Sequence, residues 1–180
     1  SMATHAMIDI ETLGTKPNAV ILSVGAIKFD PFNSNEPHDG KHWRLDVDAQ
    51  TEIDREVNED TLAWWAKQDP EIQEDAFGES GRTDVYQFMK ELNGWLTGCE
   101  AVWCQGPQFD MVILENFFDA FGHHKNWFYW QISDCRTLFK IMPRDPRKDI
   151  QQNLHNALED SRWQAVCVQK FFKDFNVLPR

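Results

Sequence analysis

The 180-residue chain has no apolar run long enough to cross a bilayer, which takes about 20 residues. A membrane-spanning helix is therefore not expected. The first residues lack the basic-then-apolar pattern of a secretory signal, and Ser1 ahead of Met2 reads as a cloning scar. Cysteine is scarce. Cys99, Cys104, Cys135 and Cys167 match neither a CxxC zinc pattern nor a dense disulfide framework, so they are expected as reduced core thiols in an intracellular protein. Positive charge is also short. Eighteen Lys and Arg face 29 Asp and Glu, a net charge of −11, which argues against a broad basic footprint on duplex nucleic acid. It does not exclude a nucleic-acid enzyme whose carboxylates hold cations, and a short single strand needs only a local basic patch. Internal repeats, low-complexity tracts and inter-domain linkers are missing too. Residues 2–180 are expected to form one domain with a real core.

What is there begins with strands. "AMIDIET" leads through the turn "LGTKPN" into "AVILSVGAIKFD", rich in Val and Ile. "PFNSNEPHDG" is dense in turn formers, and "KHWRLDVD" alternates as a third strand. Three strands without an intervening helix predict an antiparallel meander. Then the period changes. "NEDTLAWWAKQD" has helical spacing with Asn58 as N-cap. "TDVYQFMKELNGWLTG" places Val85, Phe88, Met89, Leu92 and Leu96 on one stripe and stops at Gly98. "EAVWCQG" reads as a buried strand, "FDMVILENFFDAFG" as a helix, and "FYWQISDCRTLFKIM" as a strand entering a short helix. "KIMPRDPRKDIQQN" reads as a polar loop, and "HNALEDSRWQAVCVQKFFKDF" as a long closing helix. The order predicts an α/β fold: a mixed sheet flanked by α-helices.

Asp9 and Glu11 sit two apart in the first strand, so both carboxylates share a face. A strand beside "AVILSVGAI" is expected to be central, where two unpaired carboxylates repel and lose hydration. A divalent cation resolves both costs, since hard ions take carboxylate oxygens. Asp110 follows a buried strand and a Gly-Pro turn at the start of a helix. Asp160 lies five residues after His155, about one turn into the last helix, and Glu159 is the competing acid. A histidine titrates near neutrality and suits a general base. An acidic cluster with one histidine and no cysteine favours Mg²⁺ or Mn²⁺ over zinc.

The ordered motifs "MIDIETLGT", "QGPQFD" and "HNALEDS" resemble those of the DEDDh 3′–5′ exonucleases of the ribonuclease H-like fold, over roughly residues 7–175. The finer texture, "LAWWAKQ" and "DCRTL", is similar to phage and prophage exodeoxyribonuclease VIII-like proteins and related exoribonucleases. The resemblance implies a ribonuclease H-like sheet, its first three strands antiparallel and the rest parallel. It implies two ions per active site: Asp9, Glu11 and Asp160 on one, Asp9 bridging to a second held with Asp110, and His155 deprotonating the attacking water. It implies 3′ ends of single-stranded DNA or RNA as partners, with DNA slightly favoured, and nucleoside 5′-monophosphates as products. A homodimer and a cytoplasmic setting in a bacterial or phage-infected cell follow by the same analogy.

Other residues carry open alternatives. Thr12, Leu13 and Gly14 stand where the family contacts the terminal nucleotide, and Leu13 reads equally as a wedge against the last base or a turn residue tucked into the core. Of the adjacent Trp64 and Trp65, one is core and the other, taken as Trp65, offers a base-stacking surface. "NWFYWQ" reads mainly as core and edge packing. Arg136 either pairs with Asp134 or reaches a substrate phosphate. Lys140, Arg144, Arg147 and Lys148 make a basic loop before His155, suited to phosphates or simply solvated.

Overall fold

The β-branched N-terminal third forms β1 (His5–Thr12), β2 (Ile21–Phe29) and β3 (His38–Arg44). β1 pairs antiparallel with β2, and β2 with β3. Four helices follow: α1 (Asp48–Thr51), α2 (Glu59–Ala66), α3 (Pro70–Phe77) and α4 (Val85–Leu96). β4 (Ala101–Cys104) then runs parallel to β1 and leads into α5 (Pro107–Ala120). β5 (Ile132–Asp134) runs parallel to β4, followed by α6 (Cys135–Ile141) and the closing α7 (Ala157–Asp174). The sheet order is β3-β2-β1-β4-β5, with β1 central as the sequence predicts. The computed structural model describes residues 3–150 and 156–180. No helix among them is long and apolar enough to cross a membrane.

The helix boundaries have local causes. The Asn58 Oδ1 accepts from the Thr61 N–H at 3.0 Å, and the Asp84 carboxylate accepts from Tyr86 and Gln87, so both helices start on side-chain caps. All five residues of the predicted α4 stripe are buried. Gly106 holds φ at +92°, a conformation that suits glycine, and Pro107 fits the first turn of α5.

Alternation along β1 separates two cores. Ala6, Ile8 and Ile10 join residues of α4 and α5 in one, while Met7 joins residues of α6 and α7 in the other. Asp9 and Glu11 therefore project on the α7 side. A third, smaller cluster gathers Leu13, Val20, Leu22, Trp65 and Ala76 beneath α2 and α3. The four cysteines are buried and free.

Four features depart from the sequence reading. β3 begins at His38, inside the expected loop, and the extra residues join the ladder through a register shift near Asp39, whose φ is +53°. α1 and α3 depart from the expected pattern: Asp48, expected in the third strand, opens α1 instead, while Pro70 opens α3, which Arg44 on β3 anchors from outside. The Arg44 guanidinium donates to the carbonyls of Asp75 at 2.7 Å and of Gly78 and Ser80 at 2.6 Å each. The "NWFYWQ" segment is not mainly packed. Trp127 is buried, but Phe128, Tyr129 and Trp130 are exposed, with Phe128 stacked on Trp130 at 4.5 Å.

Candidate active site

Asp9, Glu11 and Asp160 converge where β1 meets the first turn of α7. One carboxylate oxygen from each lies within 4.8 Å of the others, and all three residues are half-buried. The register explains the geometry. Asp9 faces Gly25 across the antiparallel ladder, and Glu11 faces Ser23. A Cβ on Gly25 would stand 2.1 Å from the Ala157 carbonyl carbon and 2.2 Å from the Leu158 nitrogen. Only a glycine lets the start of α7 settle against β2, and that contact carries Asp160 over β1. The Asn156 side chain caps α7 by accepting from the Glu159 N–H at 3.1 Å.

Asp110 stands apart from this trio. The β1–β4 ladder ends at Met7–Trp103, and past that point the Asp110 Oδ2 accepts from the Ile10 N–H at 3.2 Å. Asp110 is 4% exposed. Its carboxyl is pushed up to about 7 by burial, against the Ile10 N–H and the Arg136 charge, which favour ionisation.

The electrostatics state the same problem for every member. Burial, then the charges of Glu11, Asp110 and Asp160, hold the Asp9 carboxyl well above its ordinary range. Glu11 is raised by burial and by Asp160, Asp110 and the α3 residue Asp75. Asp160 rises to about 7 through burial and the neighbouring Glu159. Among the described residues, no Lys or Arg is ion-paired to Asp9, Glu11 or Asp160. An all-oxygen donor set, crowded, desolvated and uncompensated, fits a hard divalent cation.

The model of the 3′-5′ exoribonuclease Rv2179c-like domain matches residues 4–172. The chain belongs to that family. It is an exonuclease domain on a ribonuclease H-like fold. An exodeoxyribonuclease of Enterobacteria phage T4 is 24% identical over 162 residues, covering 76% of this chain and 70% of the phage protein. Exonuclease I superposes with a TM-score of 0.68 at 16% identity over 96% of this chain, but the exonuclease domain spans only 41% of that protein. The nuclease domain of 3′hExo, a DEDDh family member bound to rAMP, superposes with a TM-score of 0.63 at 13% identity, covering 96% of this chain and 93% of the other.

The remaining expected residues of the exonuclease domain fall out differently. His155 lies outside the described residues. Trp65 is not a free stacking face: it is 2% exposed and its Nε1 donates to the Thr12 carbonyl at 3.0 Å. Trp64 is the outward ring, 42% exposed and edge-on to Trp65 at 4.9 Å. Leu13 takes the core alternative, buried beside Val20, Leu22 and Trp65. Thr12 is buried and its Oγ1 donates to the Gly14 carbonyl at 2.6 Å, fixing the turn after Glu11.

Arg136 is exposed and makes no ion pair with Asp134; that carboxylate instead caps α6 and accepts from the Gly106 N–H. The basic loop is internally matched at two positions. Arg147 pairs with Asp145 at 2.7 Å and Arg144 with Asp149 at 2.8 Å. Glu159 pairs loosely with Arg162 at 3.9 Å, which leaves Asp160 as the acid of the cluster.

Sequence reading missed Gln164, Arg44 and Asp75. Gln164 follows Asp160 by one helical turn, so its place on the same face was readable from the period. Asp75 bears on Glu11 from α3, which Arg44 holds in place, and the docking of α3 has no local signature.

Proposed function

We propose that this exonuclease domain shortens single-stranded nucleic acid from its 3′ end and releases nucleoside 5′-monophosphates. The observation that carries the reading is the convergence of Asp9, Glu11 and Asp160 from the first strand and the last helix. In this reading Asp9, Glu11 and Asp160 would hold one Mg²⁺ or Mn²⁺, and Asp9 and Asp110 a second. Bound there, two divalent ions would stabilise the attacking and leaving oxygens at the scissile phosphate.

The chain's own residues do the rest. Asp110, tied to the Ile10 N–H, presents its carboxylate in a fixed direction. His155 accepts the proton of the attacking water, a role resting on its place in the "HNALEDS" motif. The exposed Arg136 guanidinium, whose charge favours ionised Asp110, would meet a substrate phosphate. Thr12 and Leu13 shape the floor beneath the terminal nucleotide from within. The exposed Trp64 supplies an outer ring to a base in place of Trp65. Arg147 contributes little while paired to Asp145.

The family description names RNA and the phage relative's name names DNA. RNA and DNA share the phosphodiester, and the assay separates the sugars. Matched DNA and RNA oligonucleotides, labelled at the 5′ end, are incubated with Mg²⁺, Mn²⁺ or EDTA. A metal-dependent ladder shrinking from the 3′ end, lost in Asp9→Ala and His155→Ala, is the expected result. Folded protein that shortens neither strand with either metal refutes the reading.

A further inference from the structure

Gln164 lies one turn beyond Asp160 on α7, on the helix face that meets β1. It is 3% exposed. Its Nε2 donates toward the Asp9 Oδ1 at 3.4 Å, while its Oε1 is buried without a partner. A buried amide with an orphaned oxygen is a costly way to fill space, because leucine or methionine would occupy the same volume without an unmet acceptor.

The amide has one property the apolar residues lack and one the cationic residues lack. It donates a hydrogen bond to the Asp9 carboxylate. It also does so without charge. A lysine or arginine at that position would neutralise the cluster and compete with a cation for the same oxygens. A neutral donor orients the carboxylate and leaves the negative charge for the metal.

We propose that Gln164 is a positioning residue for the metal site: it sets the orientation of the Asp9 carboxylate before a cation arrives. The inference rests on the functional reading above. Gln164 touches no reacting atom, so its effect is on how tightly the cation is held.

The test measures Mn²⁺ uptake by the full chain without nucleic acid, following free Mn²⁺ by electron paramagnetic resonance. Wild type is compared with Gln164→Met, which keeps the length and removes the donor. It is also compared with Gln164→Asn, which keeps the amide but withdraws it by one methylene. Both are expected to bind Mn²⁺ about 10- to 100-fold more weakly, the usual loss when a ligand's hydrogen-bond partner is removed. Melting of metal-free Gln164→Met is expected to match or exceed wild type, since the orphaned oxygen is gone. At limiting Mn²⁺ its kcat falls with the KM for oligonucleotide unmoved, and raising Mn²⁺ restores kcat.

Wild-type Mn²⁺ affinity in both variants overturns the role of Gln164 and leaves the metal reading intact. A wild-type protein that takes up no Mn²⁺ overturns both.

Discussion

Replacing Asp160 by asparagine should stabilise the metal-free protein while disabling it. The Asp160 carboxyl is raised from 3.8 to about 7 by burial and Glu159. Between those two values the native state holds a proton that the unfolded chain has released, so metal-free stability falls as pH rises through that window. The difference of just over three pH units, at about 1.4 kcal/mol per unit, amounts to about 4 kcal/mol of native-state cost at pH 8. Asp160→Asn removes the charge and with it this cost.

Urea unfolding in EDTA should therefore find the variant more stable than wild type by up to about 4 kcal/mol at pH 8, and by less than about 2 kcal/mol at pH 5. In melting terms the pH 8 gap is on the order of 10 °C for a chain of this size. Saturating Mn²⁺ should narrow the gap from the wild-type side only, because the cation offsets the buried charge. A variant no more stable than wild type at pH 8 in EDTA would refute the account of a strained anionic cluster.

Three further perturbations probe the parts around it. Gly25→Ala forces a Cβ into the α7 backbone and should cost about 3 kcal/mol or more in urea unfolding, with Mn²⁺ affinity falling alongside; an unshifted unfolding midpoint would contradict the close approach. Trp65→Phe orphans the buried Thr12 carbonyl and should cost about 1–3 kcal/mol, read by thermal melting. Arg136→Ala removes the charge that favours ionised Asp110, so the acidic limb of the pH–rate profile should move to higher pH; a limb that stays in place separates Arg136 from Asp110.

The legible parts of this molecule are those governed by local period. Alternation alone put Asp9 and Glu11 on one face, and β1 is central as the apolar neighbour strand required. The α4 stripe and the Asn58 cap also followed from spacing. Asp160 over Glu159 came from the "HNALEDS" motif, not from the helix phase. What escaped depends on contacts distant in sequence.

Neighbouring tryptophans on a helix point in different directions, but only the Thr12 carbonyl, fifty-three residues away, decides that Trp65 is the inner one. α3 is held by an arginine on β3, thirty or more residues upstream. The exposed Phe128, Tyr129 and Trp130 mislead for the opposite reason: aromatic composition implies burial, and here the segment skirts the edge before β5.

The contact at Gly25 has a bearing on how such a site persists through sequence change. Helices usually rest on sheets through two layers of side chains, and any replacement shifts the spacing until the layers readjust. At Gly25 there is no such layer, because main chain meets main chain. The distance from β1 to Asp160 is thus inherited from backbone dimensions, which every sequence shares, rather than from the volumes of particular residues. Side chains elsewhere in the core are free to drift without moving the carboxylates apart.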